Sequence, residues 1–265
     1  MDLSIVILQT NKPKDATNCL AALQHARLPA QTEILMINNG GHDANEQIDP
    51  ASYAGLPIRF IELPRDGYVF GNNAGYKESK GAYIATVNAD ITVKPDTIEK
   101  ILAHMKAHPE CGIAAPRLFY PDGTEQDSAR PFPSLLELIW RRLINPNAHK
   151  HTRTTFSKEY EEVDWITGAM LIMTRKCLEV TGGHDPRYFL FMSDITMSRE
   201  AWKAGLGTHQ LRDASAIHNE ARLSRGGLLQ LLKKRTGRAH IKDALSYFLK
   251  YSGRPKPKLS PSGRH

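Results

Sequence analysis

Residues 66–90 read DGYVFGNNAGYKESKGAYIATVNAD. The stretch opens on glycines and amides, starts a helix at FGNNAGYKES and closes with the apolar run AYIATVNAD, which stops at Asp90. A short, nearly continuous apolar run of this kind is a strand buried on both faces. Free backbone N–H groups at the helix start can hold a phosphate. No Gly-Lys-Ser or Gly-Lys-Thr follows, so this is not a P-loop, and the Gly67/Gly71/Gly75 spacing does not make a dinucleotide fingerprint. Ordinary loop chemistry explains those glycines equally well.

The same rhythm extends in both directions. LSIVIL (3–8), EILMIN (33–38) and IRFIEL (58–63) read as three earlier strands. Between the first two, DATNCLAALQHARL sets Cys19, Leu20, Leu23 and Leu28 at helical spacing, with Asp15 placed to cap it. PDTIEKILAHMKAH (95–108) is an amphipathic helix with Pro95 in its first turn. Alternation over this length predicts an α/β fold, a parallel sheet with helices on both faces. After Gly112 the rhythm changes. IAAPRLFYPDG gives a strand and a turn at Pro121-Asp122-Gly123, LLELIWRRLI (135–144) a short helix, and 145–162 a mobile polar loop. VDWITGAMLIMTR (163–175) resumes as a strand, and 228–251 close as one or two basic amphipathic helices. The expected organisation is one domain over 1–251, divided at 1–112, 113–225 and 226–251, with a disordered tail at 252–265.

The 265 residues are 41% hydrophobic and 24% charged, as in ordinary globular chains. No apolar run approaches the ~18 residues of a bilayer span, and MDLSIVILQTNKPK lacks the basic start of a signal peptide. A cytoplasmic protein is expected. Cys19, Cys111 and Cys177 are isolated and show no CxxC spacing, so buried thiols are expected rather than a disulfide framework or metal cluster. The net charge of +7 is concentrated after residue 221, where twelve Lys and Arg face a single acid, Asp243. A basic helix carrying Leu228, Leu229, Leu231 and Leu232 can both cover the core and touch an anionic membrane at its cytoplasmic face. No motif points to nucleic acid.

Ligands of open α/β sheets bind beyond the carboxyl ends of the strands. Here those ends are Gln9-Thr10-Asn11, Asn38-Asn39-Gly40 and Asn88-Ala89-Asp90. Asp90, a lone carboxylate at a strand end, suits Mg²⁺ or Mn²⁺ held mostly by water and diphosphate, or else caps a turn. Asp194, in YFLFMSDITMSREAWKAG, is a general base or a helix cap. His218 is structural or reaches metal or phosphate. Arg130 clamps an anion or lies on the surface, with the surface preferred. Trp165 and Trp202 read as core or pocket wall.

The order SIVILQTN, INNGGHD, DGYVFGNNAGYKESKGAYIATVNAD, PDGTEQDSARPFPS, WITGAMLIMTR, GGHDPRYFLFMSDITMSREAWKAG and AIHNEARLSR resembles family-2 glycosyltransferases. It is most similar to the bacterial rhamnosyltransferase-like branch of O-antigen and exopolysaccharide assembly, and the likeness runs from residue 3 to about residue 250. The resemblance implies a GT-A fold, Mn²⁺ or Mg²⁺, and an inverting transfer from a dTDP- or UDP-sugar, rhamnose first, to a polysaccharide or lipid-linked glycan. It places Thr10 and Asn11 by the nucleotide; the glycine-amide helix start with Gly67 and Asn72 and the strand end with Asn88 and Ala89 are expected to join them at the nucleotide sugar. Asn38 stands where the family has an Asp that contacts the base. Asp90 stands for the last acid of the DxD-like metal motif, Asp194 for the catalytic base, and His218 for a histidine that reaches metal or diphosphate. Two departures matter. The family's EDVDL is SDITM here, so Ser193 and Thr196 replace acids. Losing neighbouring negative charge makes Asp194 less basic, by electrostatics alone. An Asn38 carbonyl accepts a base N–H more weakly than a carboxylate. The competing reading is a degenerate relative that binds nucleotide or glycan without transfer. Nucleotidyl transfer is disfavoured, because no basic glycine-rich triphosphate loop lies near the first strand.

Overall fold

The computed structural model describes residues 1–10, 12–39, 48–53, 55–64, 67–134, 156, 158–219, 235–251, 254 and 257. Strands β1 (Leu3–Gln9), β2 (Thr32–Asn38), β3 (Ile58–Glu62) and β4 (Tyr83–Asn88) pair in parallel in the order β3-β2-β1-β4. The short β5 (Ile91–Val93) follows Asp90. In the second half come β6 (Cys111–Phe119), β7 (Ala129–Arg130), β8 (Tyr160–Glu162), β9 (Trp165–Ile166), β10 (Met170–Thr174) and β11 (Gly207–His218). The large sheet runs β3-β2-β1-β4-β10-β6-β11-β5, with β8 added beside β11. The sheet is mixed: β10 is antiparallel to both β4 and β6, while β11 is parallel to β6.

Helix α1 (Pro13–Gln24) and α3 (Thr97–Ala107) cover one face of this sheet. Helix α2 (Tyr68–Glu78), α4 (Arg175–Thr181) and α5 (Ser193–Lys203) cover the other. Strand β1 shows the consequence: Leu3, Ile5 and Ile7 enter one core cluster, Val6 and Leu8 the other. All seven residues of β1 are buried, as the apolar run predicts. Gly71 and Gly75 lie inside α2, not in a loop. A Cβ on either would stand 2.3 Å from Leu8 Cδ1 or Val6 Cγ1, so the pair lets α2 lie directly on β1.

Several boundaries differ from the sequence expectation. Helix α1 begins at Pro13 with Lys12 as its N-cap, and Asp15 sits in the first turn; proline's fixed φ starts the helix earlier than a side-chain cap would. Asp96 holds the N-cap position of α3, leaving Pro95 outside. The strand expected over 163–175 breaks into β9 and β10 at Thr167-Gly168-Ala169, where the Thr167 N–H leaves to Ser128 O. The expected loop 145–162 ends in β8, because its last residues pair with β11. The closing helix α6 (Arg235–Tyr251) does not lie on the sheet, whose faces are already covered. Its Ala244, Tyr247 and Tyr251 pack with Tyr188, Met192, Ile195 and Trp202 of α5 and the loop before it. The 135–144 helix, most of the 145–162 loop, Leu228–Leu232 and most of the tail lie outside the described residues.

Candidate active site

Register brings the expected strand ends together. Gln9 pairs with Asn38, Leu8 with Asn88, and Asn38 with Glu62. Thr10 is exposed just beyond β1, and Asn11 and Gly40 lie outside the described residues. Asn38 is fully buried and donates its amide to Glu62 Oε2 at 2.7 Å. That bond fixes which way the amide faces. Glu62 did not stand out in the sequence, because β3 reads as an ordinary strand. Gly67 starts α2 at φ +99, in the left-handed region, and a Cβ there would meet the Phe189 ring at 2.6 Å. Asn72 is buried, donates to Tyr68 O at 3.0 Å, and keeps its Oδ1 without a hydrogen-bond partner.

Asp90 lies between β4 and β5, and its carbonyl accepts the Asn219 N–H at 3.0 Å. This contact and the Ile91–His218 pairing bring the end of β11 against it. His218 Nε2 stands 3.4 Å from Asp90 Oδ1. On its other side, His218 Nδ1 is 2.9 Å from Gln126 Oε1, while Gln126 Nε2 donates to His218 O at 3.0 Å. The second bond orients the Gln126 amide, so Oε1 accepts from Nδ1–H. Neutral His218 then turns its Nε2 lone pair toward a carboxylate oxygen. Two acceptors that face each other call for a cation between them, either a proton or a metal ion. Burial raises the Asp90 carboxyl pKa, but with a proton on Nε2 as that cation, the hydrogen bond and charge of His218 pull it further down, below the ordinary carboxylate value. Carboxylate oxygen with imidazole nitrogen is a donor set that suits a Mn²⁺-type ion, so these residues fit the implied metal.

Asp194 is tied to the same strand end through the backbone. Met192, not Asp194, is the N-cap of α5, and it takes a left-handed backbone at φ 65. A non-glycine residue there is strained, and such strain collects at functional turns. Asp194 Oδ1 accepts Ile195 N–H at 2.9 Å and Oδ2 accepts Gly168 N–H at 3.1 Å. Gly168 belongs to the break between β9 and β10, and its neighbour Ala169 accepts the Asn88 N–H at 2.8 Å. A short backbone path thus joins Asp194 to the β4 end that carries Asp90. Tyr68 completes it, donating to Gly168 O at 2.8 Å. A Cβ on Gly168 would lie 2.4 Å from Tyr68 Oη and displace that tyrosine. The Asp194 carboxylate is set deep among protein atoms, yet the residue keeps a partial opening to solvent. Burial raises its pKa above the usual carboxylate value, against the pull of the Gly168 and Ile195 amides and the Arg130 charge. The charge argument from Ser193 and Thr196 predicted a weaker base. Its reference is a site richer in acids; relative to a free carboxylate, burial raises the Asp194 pKa.

Arg130 is not the surface residue that was preferred. It is largely buried, pairs with Asp127 at 2.9 Å and stacks over Trp165. The indoles of Trp165 and Trp202 donate to Pro131 O and Asp164 O, in keeping with a core role. Ser193, fully buried, lies 3.5 Å from Leu190 O. Two clamps on the loop before Asp194 escaped the sequence reading. Asn73 holds both backbone groups of His184, at 2.7 and 2.9 Å. Asp243, buried on α6, accepts the N–H groups of Phe189, Leu190 and Phe191. Its isolation in a basic segment was the one sequence signal available.

Residues 4–180 match the model of "Glycosyl transferase family 2". Among curated proteins, the chain is 28% identical over 145 residues to an N-acetylglucosaminyl-diphospho-decaprenol L-rhamnosyltransferase of Mycobacterium tuberculosis. That alignment covers 52% of this chain and 47% of the relative, so the match spans about half the relative's length. Among solved structures, Staphylococcus aureus TarS 1–349 with UDP-GlcNAc superposes at TM-score 0.63 and 15% identity, covering 85% of this chain and 60% of that one. The mannosyltransferase PcManGT of Pyrobaculum calidifontis, with GDP-Man and Mn²⁺, does so at TM-score 0.63 and 16% identity, covering 96% and 66%. The shared fold is GT-A.

Proposed function

The chain belongs to glycosyltransferase family 2, and from that premise we propose that it moves a sugar, rhamnose first, from a nucleotide-diphosphate sugar to a glycan acceptor with inversion. The observation that carries this reading is the pair of facing acceptors, Asp90 Oδ1 and His218 Nε2, joined through Asn88, Ala169 and Gly168 to Asp194. Asp90 and His218 would hold Mn²⁺ or Mg²⁺, which neutralises charge on a diphosphate leaving group. Thr10, Asn38, Gly67, Asn72, Asn88 and Ala89 line the nucleotide-sugar side, with Asn38 oriented by Glu62. Asn11 is proposed beside them from sequence alone. Asp194 takes the proton of the acceptor hydroxyl as that oxygen attacks the anomeric carbon from the face opposite the diphosphate. A raised pKa suits that role, because it makes the carboxylate a stronger base.

The rhamnosyl donor rests on the likeness to the mycobacterial L-rhamnosyltransferase, whose name also includes a lipid-diphosphate acceptor. dTDP-rhamnose is the leading donor, with UDP-hexose or UDP-N-acetylhexosamine next. A lipid-linked acceptor fits a protein at the cytoplasmic face of a membrane. On α6, Leu245 and Leu249 are exposed beside Lys242, as a helix touching an anionic surface requires. Among the described residues, no helix is long and apolar enough to cross a membrane. We assign residues 1–251 to one catalytic domain, with the donor half at 1–112 and the acceptor half at 113–225.

Donor binding is tested by thermal shift with UDP, dTDP, GDP and CDP, each in Mn²⁺, Mg²⁺ or EDTA. Transfer is tested with the matching nucleotide sugars and a polyprenyl-diphosphate N-acetylhexosamine. The reading requires a nucleotide shift that EDTA removes and sugar transfer that Asp194→Asn removes. Binding without any transfer would leave a degenerate binding protein. No nucleotide binding at all would overturn the site.

A further inference from the structure

The opposite end of the same sheet carries a second constellation that the proposed transfer does not use. His104 of α3, Cys111 at the start of β6 and His209 near the start of β11 bring one ligand atom each within 4.8 Å of one another. His104 Nε2 and His209 Nδ1 are 2.9 Å apart. Cys111 and His209 are fully buried, while His104 is half-buried and gives access from α3. Behind His209, its other nitrogen, Nε2, is buried, makes no hydrogen bond and stands 3.7 Å from Glu162 Oε1. Glu162 Oε2 is likewise buried without a hydrogen-bond partner. Tyr160 stacks on the His209 ring at 4.6 Å. Along the partner strand β6, His209 lies opposite Ala114 and Ile217 opposite Phe119; those five steps and one more to His218 amount to roughly 20 Å, which separates this cluster from Asp90.

We propose that His104 Nε2, His209 Nδ1 and Cys111 Sγ form a Zn²⁺ site that pins α3 to the first residues of β6 and β11. Thiolate with two imidazoles is a soft donor set, chosen by Zn²⁺ and avoided by Mn²⁺ or Mg²⁺. Tetrahedral bonds of ~2.0–2.1 Å need the two nitrogens about 3.3 Å apart, a small opening of the 2.9 Å pair. Closing the 3.7 Å gap would let Glu162 Oε1 accept the His209 Nε2–H and leave the Nδ1 lone pair facing His104. This is the carboxylate–histidine arrangement that orients metal-bound imidazoles. On binding, Cys111 loses its thiol proton to the buffer and gives up its 3.3 Å contact with Ile113 O. Water fills the fourth position on the His104 side. The three residues lie too far apart in sequence to form a motif, so only the fold brings them together.

Co²⁺ is the probe, added to the full chain carrying Asp90→Asn so that uptake at the proposed donor site does not contribute. The expected result is one Co²⁺ per chain with a thiolate-to-cobalt charge-transfer band. Zn²⁺ should displace it and a large excess of Mn²⁺ should not. Cys111→Ser should abolish the band. His104→Gln, on the half-buried helix face, should weaken Zn²⁺ binding at least tenfold and remove the rise in Tm that Zn²⁺ gives. Glu162→Gln should weaken it by roughly 10- to 100-fold. No stoichiometric uptake, or a charge-transfer band that survives Cys111→Ser, overturns the proposal. Should Cys111→Ser fail to fold, unchanged Zn²⁺ affinity in His104→Gln overturns it instead.

Discussion

The strand end that carries Asp90 and the loop that carries Asp194 are built into the proposed site by different means. Asp90 is fixed by the sheet: strands lead in and out of it, and the end of β11 pairs alongside. Asp194 follows a left-handed Met192 and a loop held by single side chains from distant elements. A ladder shares its load among many bonds. A clamp such as Asp243 carries three amides on one carboxylate. The donor side should therefore tolerate substitution around the metal residues, and the base side should not tolerate substitution of its clamps.

The largest expected effect tests the base itself. Asp194→Asn should lower kcat by roughly 10²–10⁴ and leave donor affinity intact, read by single-turnover transfer and calorimetry on one preparation. Full activity would remove Asp194 from the chemistry. Asp243→Asn separates clamp from ladder. It should lower kcat up to about 100-fold through misplacement of the base, with donor affinity unchanged; equal losses in both would mean general damage. Asp90→Asn should weaken Mn²⁺-dependent donor binding by roughly 10- to 100-fold and change nothing in EDTA. On the pH axis, Asp194 works deprotonated, so kcat falls as pH drops through a pKa held above the ordinary 3.8 by burial. Arg130 pulls that pKa down, so Arg130→Met should move the acid limb to higher pH. The smallest effect is Glu62→Gln, a few-fold change in preference among nucleotide bases with little change in kcat, measured by competition between UDP and dTDP.

The same contrast explains what was legible in the sequence. The periodic part of the chain yielded β1 to β4, the helices between them and the strand ends at Asn38 and Asp90, because burial on both faces leaves a continuous apolar signature. Asp194 and His218 stood out only through the resemblance, since a lone Asp at a helix start reads equally as a cap. Gly168, Asn73 and Glu62 left no local sign. Each acts through one contact across a large sequence separation, and no window of residues records that. The break of 163–175 was hidden for the same reason: Thr167 bonds outward to Ser128, which its own neighbours do not reveal.

Asp243 also has a consequence in time. The ribosome makes β1 to β10 before the loop at 189–191 and β11 soon after it, and Asp243 follows only some fifty residues beyond that loop. A growing chain can thus complete the sheet that positions Asp90 while the segment bearing Asp194 still lacks its fastening. On the proposed reading, capacity to bind donor precedes capacity to use it, and helix α6 arms the enzyme.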